Sequence, residues 1–213
     1  MKLKYLFIAI LGLSMISCEK DKYVTPIDDI IYNDIAPDKE IQTVRFYTLQ
    51  DHGICRVDVP TPSDSSVTYD LDLDDNQISD FRIKVTHSKY TSGHCGHCER
   101  FTYTIYIEGL SSNDSIAKST NNESNMNHWA LKLFNESDTI DNKNIWQSRA
   151  QILLLEGCAL PFNADFTSGY IGIKINKSYG YIQIEKIDKY GIRILAHGFN
   201  KTENNIITCG QTE

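Results

Sequence analysis

The sequence predicts an all-β fold, an antiparallel β-sandwich. Three observations predict it. Apolar residues recur at every second position in several separate segments. These segments follow one another about every ten residues, with turn-forming residues between them. No convincing long stretch has the 3.6-residue apolar period of an amphipathic helix, and Trp146–Leu155 is the one ambiguous run.

In chain order, Phe81, Ile83 and Val85 alternate with Arg82, Lys84 and Thr86, which makes the first clear strand. Phe101, Tyr103, Ile105 and Ile107 alternate with Thr102, Thr104, Tyr106 and Glu108 in the next. Ser111–Asn127 is rich in Ser and Asn and reads as an exposed loop. Ile171, Ile173 and Ile175 then alternate with Gly172, Lys174 and Asn176. Each strand is expected to give one face to the core and one to water, because successive side chains point to opposite sides. The end of the chain reads as a meander of Tyr170–Ile175, Tyr179–Lys186 and Ile192–Phe199, turning at Asn176-Lys177-Ser178 and around Asp188–Gly191.

Ahead of the strands stands a different kind of segment. Lys2 and Lys4 precede an apolar run, Leu6–Ile16, about half the ~20 residues a membrane-spanning helix needs. A short apolar run behind basic residues is the pattern of a secretory signal. Met15-Ile16-Ser17-Cys18 resembles a bacterial lipobox, with Met15 where leucine is usual. The expected organisation is therefore a signal peptide over residues 1–17, a lipidated tether over 18–24 beginning at Cys18, and a single β-rich domain over 25–213. Two or three acyl chains on Cys18, at ~0.8 kcal/mol per buried CH₂, would hold the domain stably on a membrane. The expected location is the cell envelope, at the outer membrane. With 28 Asp+Glu against 21 Lys+Arg, the chain is repelled by nucleic acid, which is not an expected partner. The 41% hydrophobic content and 12 Tyr supply a core and exclude a disordered tail.

The most chemically informative segment is Asp72-Leu73-Asp74-Asp75-Asn76-Gln77-Ile78-Ser79-Asp80-Phe81. Oxygen ligands at alternate positions of a tight loop converge on one point, as a hard cation such as Ca²⁺ requires. Asp72, Asp74 and Asn76 would supply side-chain oxygens, Ile78 its carbonyl, and Asp80 would close the loop. Asp70 could add charge. Gln77 stands where calcium loops carry glycine, and Ile83 stands where an EF-hand has its bidentate glutamate, so the EF-hand match fails. The alternative is an Asp/Asn-rich turn whose side chains merely hydrogen-bond their own backbone.

Gly93-His94-Cys95-Gly96-His97-Cys98-Glu99 offers a second cluster. Cys-Gly-His-Cys resembles a disulfide-isomerase site, but that chemistry needs a helix N-terminus to lower the thiol pKa, and the following residues alternate as a strand. A c-type haem site needs histidine where Glu99 stands. His94, Cys95, His97 and Cys98, with His52 and Cys55 from elsewhere, could hold zinc or copper, although residues of one short loop do not easily surround a tetrahedral ion. Structural disulfides are the simpler expectation outside the cytoplasm: Cys95–Cys98 and Cys158–Cys209, with Cys55 buried and free.

No nucleophile-and-base arrangement or phosphate loop is present in the sequence. Glu156, Asp165 and Glu185 read as isolated solvated acids, and His197 as a hydrogen-bonded structural residue in a strand. A binding or structural module without catalysis leads, with an unknown protein or glycan ligand. A metal-binding or thiol-redox protein built on His94–Cys98 is second, and a hydrolase whose residues converge only in space is third.

In order along the chain stand Asp34-Ile35-Ala36-Pro37-Asp38, the turn ending Asp80-Phe81, Tyr170-Ile171-Gly172-Ile173, Tyr179-Gly180-Tyr181-Ile182, Ala196-His197-Gly198-Phe199-Asn200 and Ile207–Gly210. From Ile30 to Gly210 the chain resembles a group of small secreted bacterial β-proteins of unknown function. Their pieces run I-x-P-D, D-x-N-x-D-G-x-x-D-F, Y-x-G, Y-G-W-[IV]-x-[LV] and I-x-x-G, with Tyr181 here in place of the tryptophan. The resemblance implies an exported β-rich protein and brings no catalytic residues.

Overall fold

The computed structural model describes residues 29–42, 48–51, 54–57, 67–92, 98–119, 131–156, 166–187 and 191–213. The leader, Cys18 and the tether lie outside them. Among the described residues there is no helix, and antiparallel sheets pack together as a sandwich.

The larger sheet runs in the order β1 (Ile30–Gln42), β14 (Gly191–Asn200), β13 (Ser178–Lys186), β12 (Ser168–Ile175), β7 (Asp114–Lys118) and β10 (Ile145–Gln147). A short β8 (Leu133–Phe134) shares the edge of β12 with β7. The smaller sheet runs β11 (Arg149–Glu156), β6 (Cys98–Gly109), β5 (Phe81–Ser92) and β4 (Thr68–Leu71). Two further pairs are β9 (Thr139–Ile140) with β15 (Ile207–Thr208), and β2 (Thr48–Asp51) with β3 (Ile54–Val57).

The alternation of the sequence sets the main core. Ile83 lies opposite Ile107 and Val85 opposite Ile105, so β5 and β6 present one apolar face. Ile171 and Ile173 of β12 and Ile182 and Ile184 of β13 present another, and the two faces close on each other. Each fully buried isoleucine stabilises the fold by roughly 1.5–3 kcal/mol, so this interface carries global stability. The three strands of the meander are present as expected, with Asn176 at positive φ in a turn between Ile175 and Ser178, while residues 188–190 of the second turn lie outside the described residues. Trp146–Leu155 is two strands, β10 and β11, rather than a helix.

Two expectations are corrected. Ser111–Asn127 is not simply a loop: residues 114–118 form β7, with Ile116 and Ala117 fully buried, and residues 120–127 lie outside the described residues. Two apolar residues are too few to show a period among Ser and Asn, yet they suffice once β12 supplies the ladder. The meander also lacks a wet face over much of its length. Its outer side carries a second core of Ala117, Phe134, Ile140, Tyr170, Tyr179, Tyr181, Ile207 and Cys209, built partly from β8, β9 and β15. Glycine makes room for it. A Cβ on Gly198 would lie 2.5 Å from the Tyr181 ring, and one on Gly172 would lie 2.8 Å from Phe134. Tyr181 donates its hydroxyl hydrogen bond to the Gln211 carbonyl at 2.7 Å, which fastens the C-terminal tail over this face.

In β1, the pairing to β14 lapses between Asp34 and Lys39. Pro37 lies in that gap and has no N–H for the ladder.

Candidate metal centre

The acidic turn joins β4 to β5, whose pairing ends at Leu71 opposite Phe81. Leu73 dips into the main core and is fully buried. In an extended segment residues two apart share a side, so burying Leu73 sends Asp72 and Asp74 outward together. The chain then reverses through Asp75 (φ 60°) and Gln77 (φ 68°). Gln77 therefore occupies the left-handed conformation that glycine adopts more cheaply. Asp80 is returned to the start of the turn. Its N–H donates to the Leu71 carbonyl at 2.8 Å, and its carbonyl accepts from the Leu110 N–H at 2.7 Å.

One carboxylate oxygen each from Asp72, Asp74 and Asp80 lies within 4.8 Å of the others, an arrangement that could hold a metal ion. Three of the five expected ligands are thus brought together by their side chains. Asn76 and Ile78 sit at the tip, where the Asn76 Oδ1 accepts the Ile78 N–H at 2.7 Å. Asp72 accepts the Asn76 and Gln77 N–H groups at 3.2 and 2.6 Å, and Asp74 accepts the Asn76 N–H at 3.2 Å. Asp80 accepts the buried Leu73 N–H at 2.8 Å.

Burial, and secondarily the nearby charges of Asp74, Asp114 and Asp72, push the Asp80 carboxyl up to about 6 against the hydrogen bond from Leu73. A desolvated carboxylate among like charges is a group that a cation would relieve. Hard-cation chemistry, all oxygen and no sulfur, is what this donor set fits.

Asp70 does not add its charge to the turn. Its carboxylate takes a two-pronged hydrogen bond from Arg82 at 2.7 and 2.8 Å, and this partner holds its pKa low. The cross-strand register places Asp70 directly opposite Arg82. Glu185 is likewise not an isolated acid, since it pairs with Arg193 at 3.0 Å beside Glu40 at 2.9 Å. His197 lies in a strand, β14, as expected and is buried there, but its Nδ1 lacks the expected hydrogen-bond partner among the described residues. It lies opposite Ile182, on the side facing the main core, and burial lowers its pKa against the pull of Asp72 and Asp75.

His94, Cys95, His97, Cys158, His52 and Asp165 lie outside the described residues. Cys98 opens β6, so the segment after the cluster is a strand and not a helix, as the alternation of Phe101–Glu108 requires. Cys55 falls in β3 and Glu156 in β11. Cys209, the expected partner of Cys158, is a free thiol packed in the second core. Burial pushes its pKa up to about 12, which keeps it un-ionised at neutral pH.

The fold and the turn together define a β-sandwich domain with a carboxylate-lined loop at one end of the smaller sheet. Comparison with protein-family models, with curated proteins and with solved structures finds no match for this chain.

Proposed function

We propose that the protein is a lipid-anchored module of the bacterial cell envelope, at the outer membrane, whose β4–β5 turn is ordered by a structural Ca²⁺. It is a binding or structural protein rather than a catalyst. The observation that carries the calcium reading is the convergence of Asp72, Asp74 and Asp80 oxygens within 4.8 Å on a turn already shaped by its own backbone. Asn76 and the Ile78 carbonyl complete the ligand set. The affinity is on the order of 10⁻⁴–10⁻³ M, the range of extracellular modules. The lipid anchor rests on the Leu6–Ile16 run and the Ser17-Cys18 junction, and membership of the group of small secreted β-proteins rests on the ordered motifs from Ile30 to Gly210.

Thermal melts with excess Ca²⁺ and with chelator test the metal: the calcium curve should lie a few degrees higher, and superimposable curves remove the site. Mass spectrometry of the mature N-terminus tests the anchor, with an unacylated Cys18 as the outcome that ends it.

A further inference from the structure

Lys174 projects from β12 half-buried, and among the described residues no carboxylate pairs with it. Its ammonium lies 5.9 Å from the ring centres of both Trp146 and Tyr179, which are stacked on each other. That distance is at the outer limit of useful cation–π attraction, so the rings compensate the charge only weakly. Lys174 lines a polar, largely open surface depression of about 540 Å³.

The walls are side chains that exchange hydrogen bonds with hydroxyl groups: Asn113, Ser115, Asn176 and Glu203, besides Lys177. Both sides are clipped to the β12–β13 turn through backbone. The Asn176 N–H donates to the Asn113 carbonyl at 3.2 Å, and the Asn204 N–H donates to the Lys177 carbonyl at 2.8 Å. Lys177 is paired with Glu203 at 3.6 Å, so its charge is answered. What remains is a lysine with no carboxylate partner among the described residues, beside amides and hydroxyls carried on backbone that these hydrogen bonds hold together.

We propose that this concavity binds a small hydroxylated monocarboxylate, an acidic sugar unit. Its carboxylate would sit on Lys174, and its hydroxyls on the Asn113 and Asn176 amides and the Glu203 carboxylate. One free positive charge selects one carboxylate rather than a phosphate dianion. Neither calcium nor the lipid anchor enters this inference.

Calorimetric or ligand-observed NMR titration of the mature chain with D-glucuronate tests it, with D-glucose, acetate and inorganic phosphate as parallel probes. Saturable glucuronate binding is expected, with glucose and acetate each at least tenfold weaker. Lys174→Met, which keeps the stem over the rings, should weaken glucuronate at least tenfold while circular dichroism stays unchanged, and Asn113→Ala should weaken it less. If Lys174→Met does not fold, Asn113→Ala and the probe series decide alone. Glucose binding as well as glucuronate, acetate binding as well, phosphate binding more tightly, or no saturation by any probe would each overturn the proposal.

Discussion

Two acid-closed turns lie side by side in this molecule and answer to different physics. At the β6–β7 turn, one carboxylate does a local job: Asp114 accepts the Ser111 N–H at 2.8 Å while its own N–H donates to the Ser111 carbonyl at 3.3 Å. The same reciprocal bond recurs between Asn135 and Asp138, at 2.7 and 3.2 Å. In these turns a single acid caps one backbone N–H, although the charge of Asp114 also reaches Asp80. The β4–β5 turn uses the same bonds but gathers Asp72, Asp74 and Asp80 into one place. Backbone capping explains each hydrogen bond there. What sets this turn apart is that three carboxylates converge in an arrangement that could hold a metal ion. The two kinds of turn differ in the convergence of their carboxylates, not in the number of acids they carry.

The largest expected effect is at Asp114. Asp114→Ala strands the Ser111 N–H and should cost about 1–3 kcal/mol in denaturant unfolding, no more in calcium than in chelator, because the charge it removes near Asp80 is a like charge and not a ligand. A calcium-dependent loss would mean that the two turns form one site. Next in size is the calcium effect on the unsubstituted protein. At a tenfold excess over Kd, binding to the folded state alone adds about 1.4 kcal/mol. Asp72→Asn and Asp74→Asn should each reduce that gain, whereas Asp138→Asn should leave it intact.

Asp80 sharpens the contrast through pH. Its folded-state pKa, about 6, lies above the ordinary 3.8. The folded chelated protein therefore holds a proton that the unfolded chain has released between those values. Its contribution is thus a loss of stability as pH rises from about 4 to about 6, with no further change above. Asp80→Asn keeps an oxygen for the Leu73 N–H without the charge. It should flatten that window, match or exceed the chelated parent at pH 7, and lose most of the calcium response. Melting curves across pH 4–7 for the two proteins decide this. The smallest effect belongs to Gln77. Gln77→Gly relieves a side chain held at φ 68°, and because glycine also loosens the unfolded chain, the net gain is a few tenths of a kcal/mol up to about 1. It should be accompanied by tighter calcium binding.

Much of the candidate site was legible because loop chemistry is local. Asp72 and Asp74 fall at alternate positions and Asp80 six residues on, and the awkwardness of Gln77 follows from its place in that spacing. What the spacing could not show is which acids are spoken for. Asp70 belongs to Arg82 because a strand partner twelve residues away lies opposite it, and Glu185 belongs to Arg193 across β13 and β14. The polar wall around Lys174 was equally hidden, since Asn113, Asn176 and Glu203 meet only after β7 pairs with β12 and the chain returns past β14.

By itself the sequence determined strands, their pleat, the meander and the turn at Asn176, because a period of two and a turn residue are properties of neighbouring positions. Which faces are dry depends on long-range packing. Gly172 and Gly198 look like breaks in a pattern until Phe134 and Tyr181 lie across them, and Asp114–Lys118 looks like loop until β12 completes its hydrogen bonds. Burial depends on what packs against a face, and the residues that do the packing come from far along the chain.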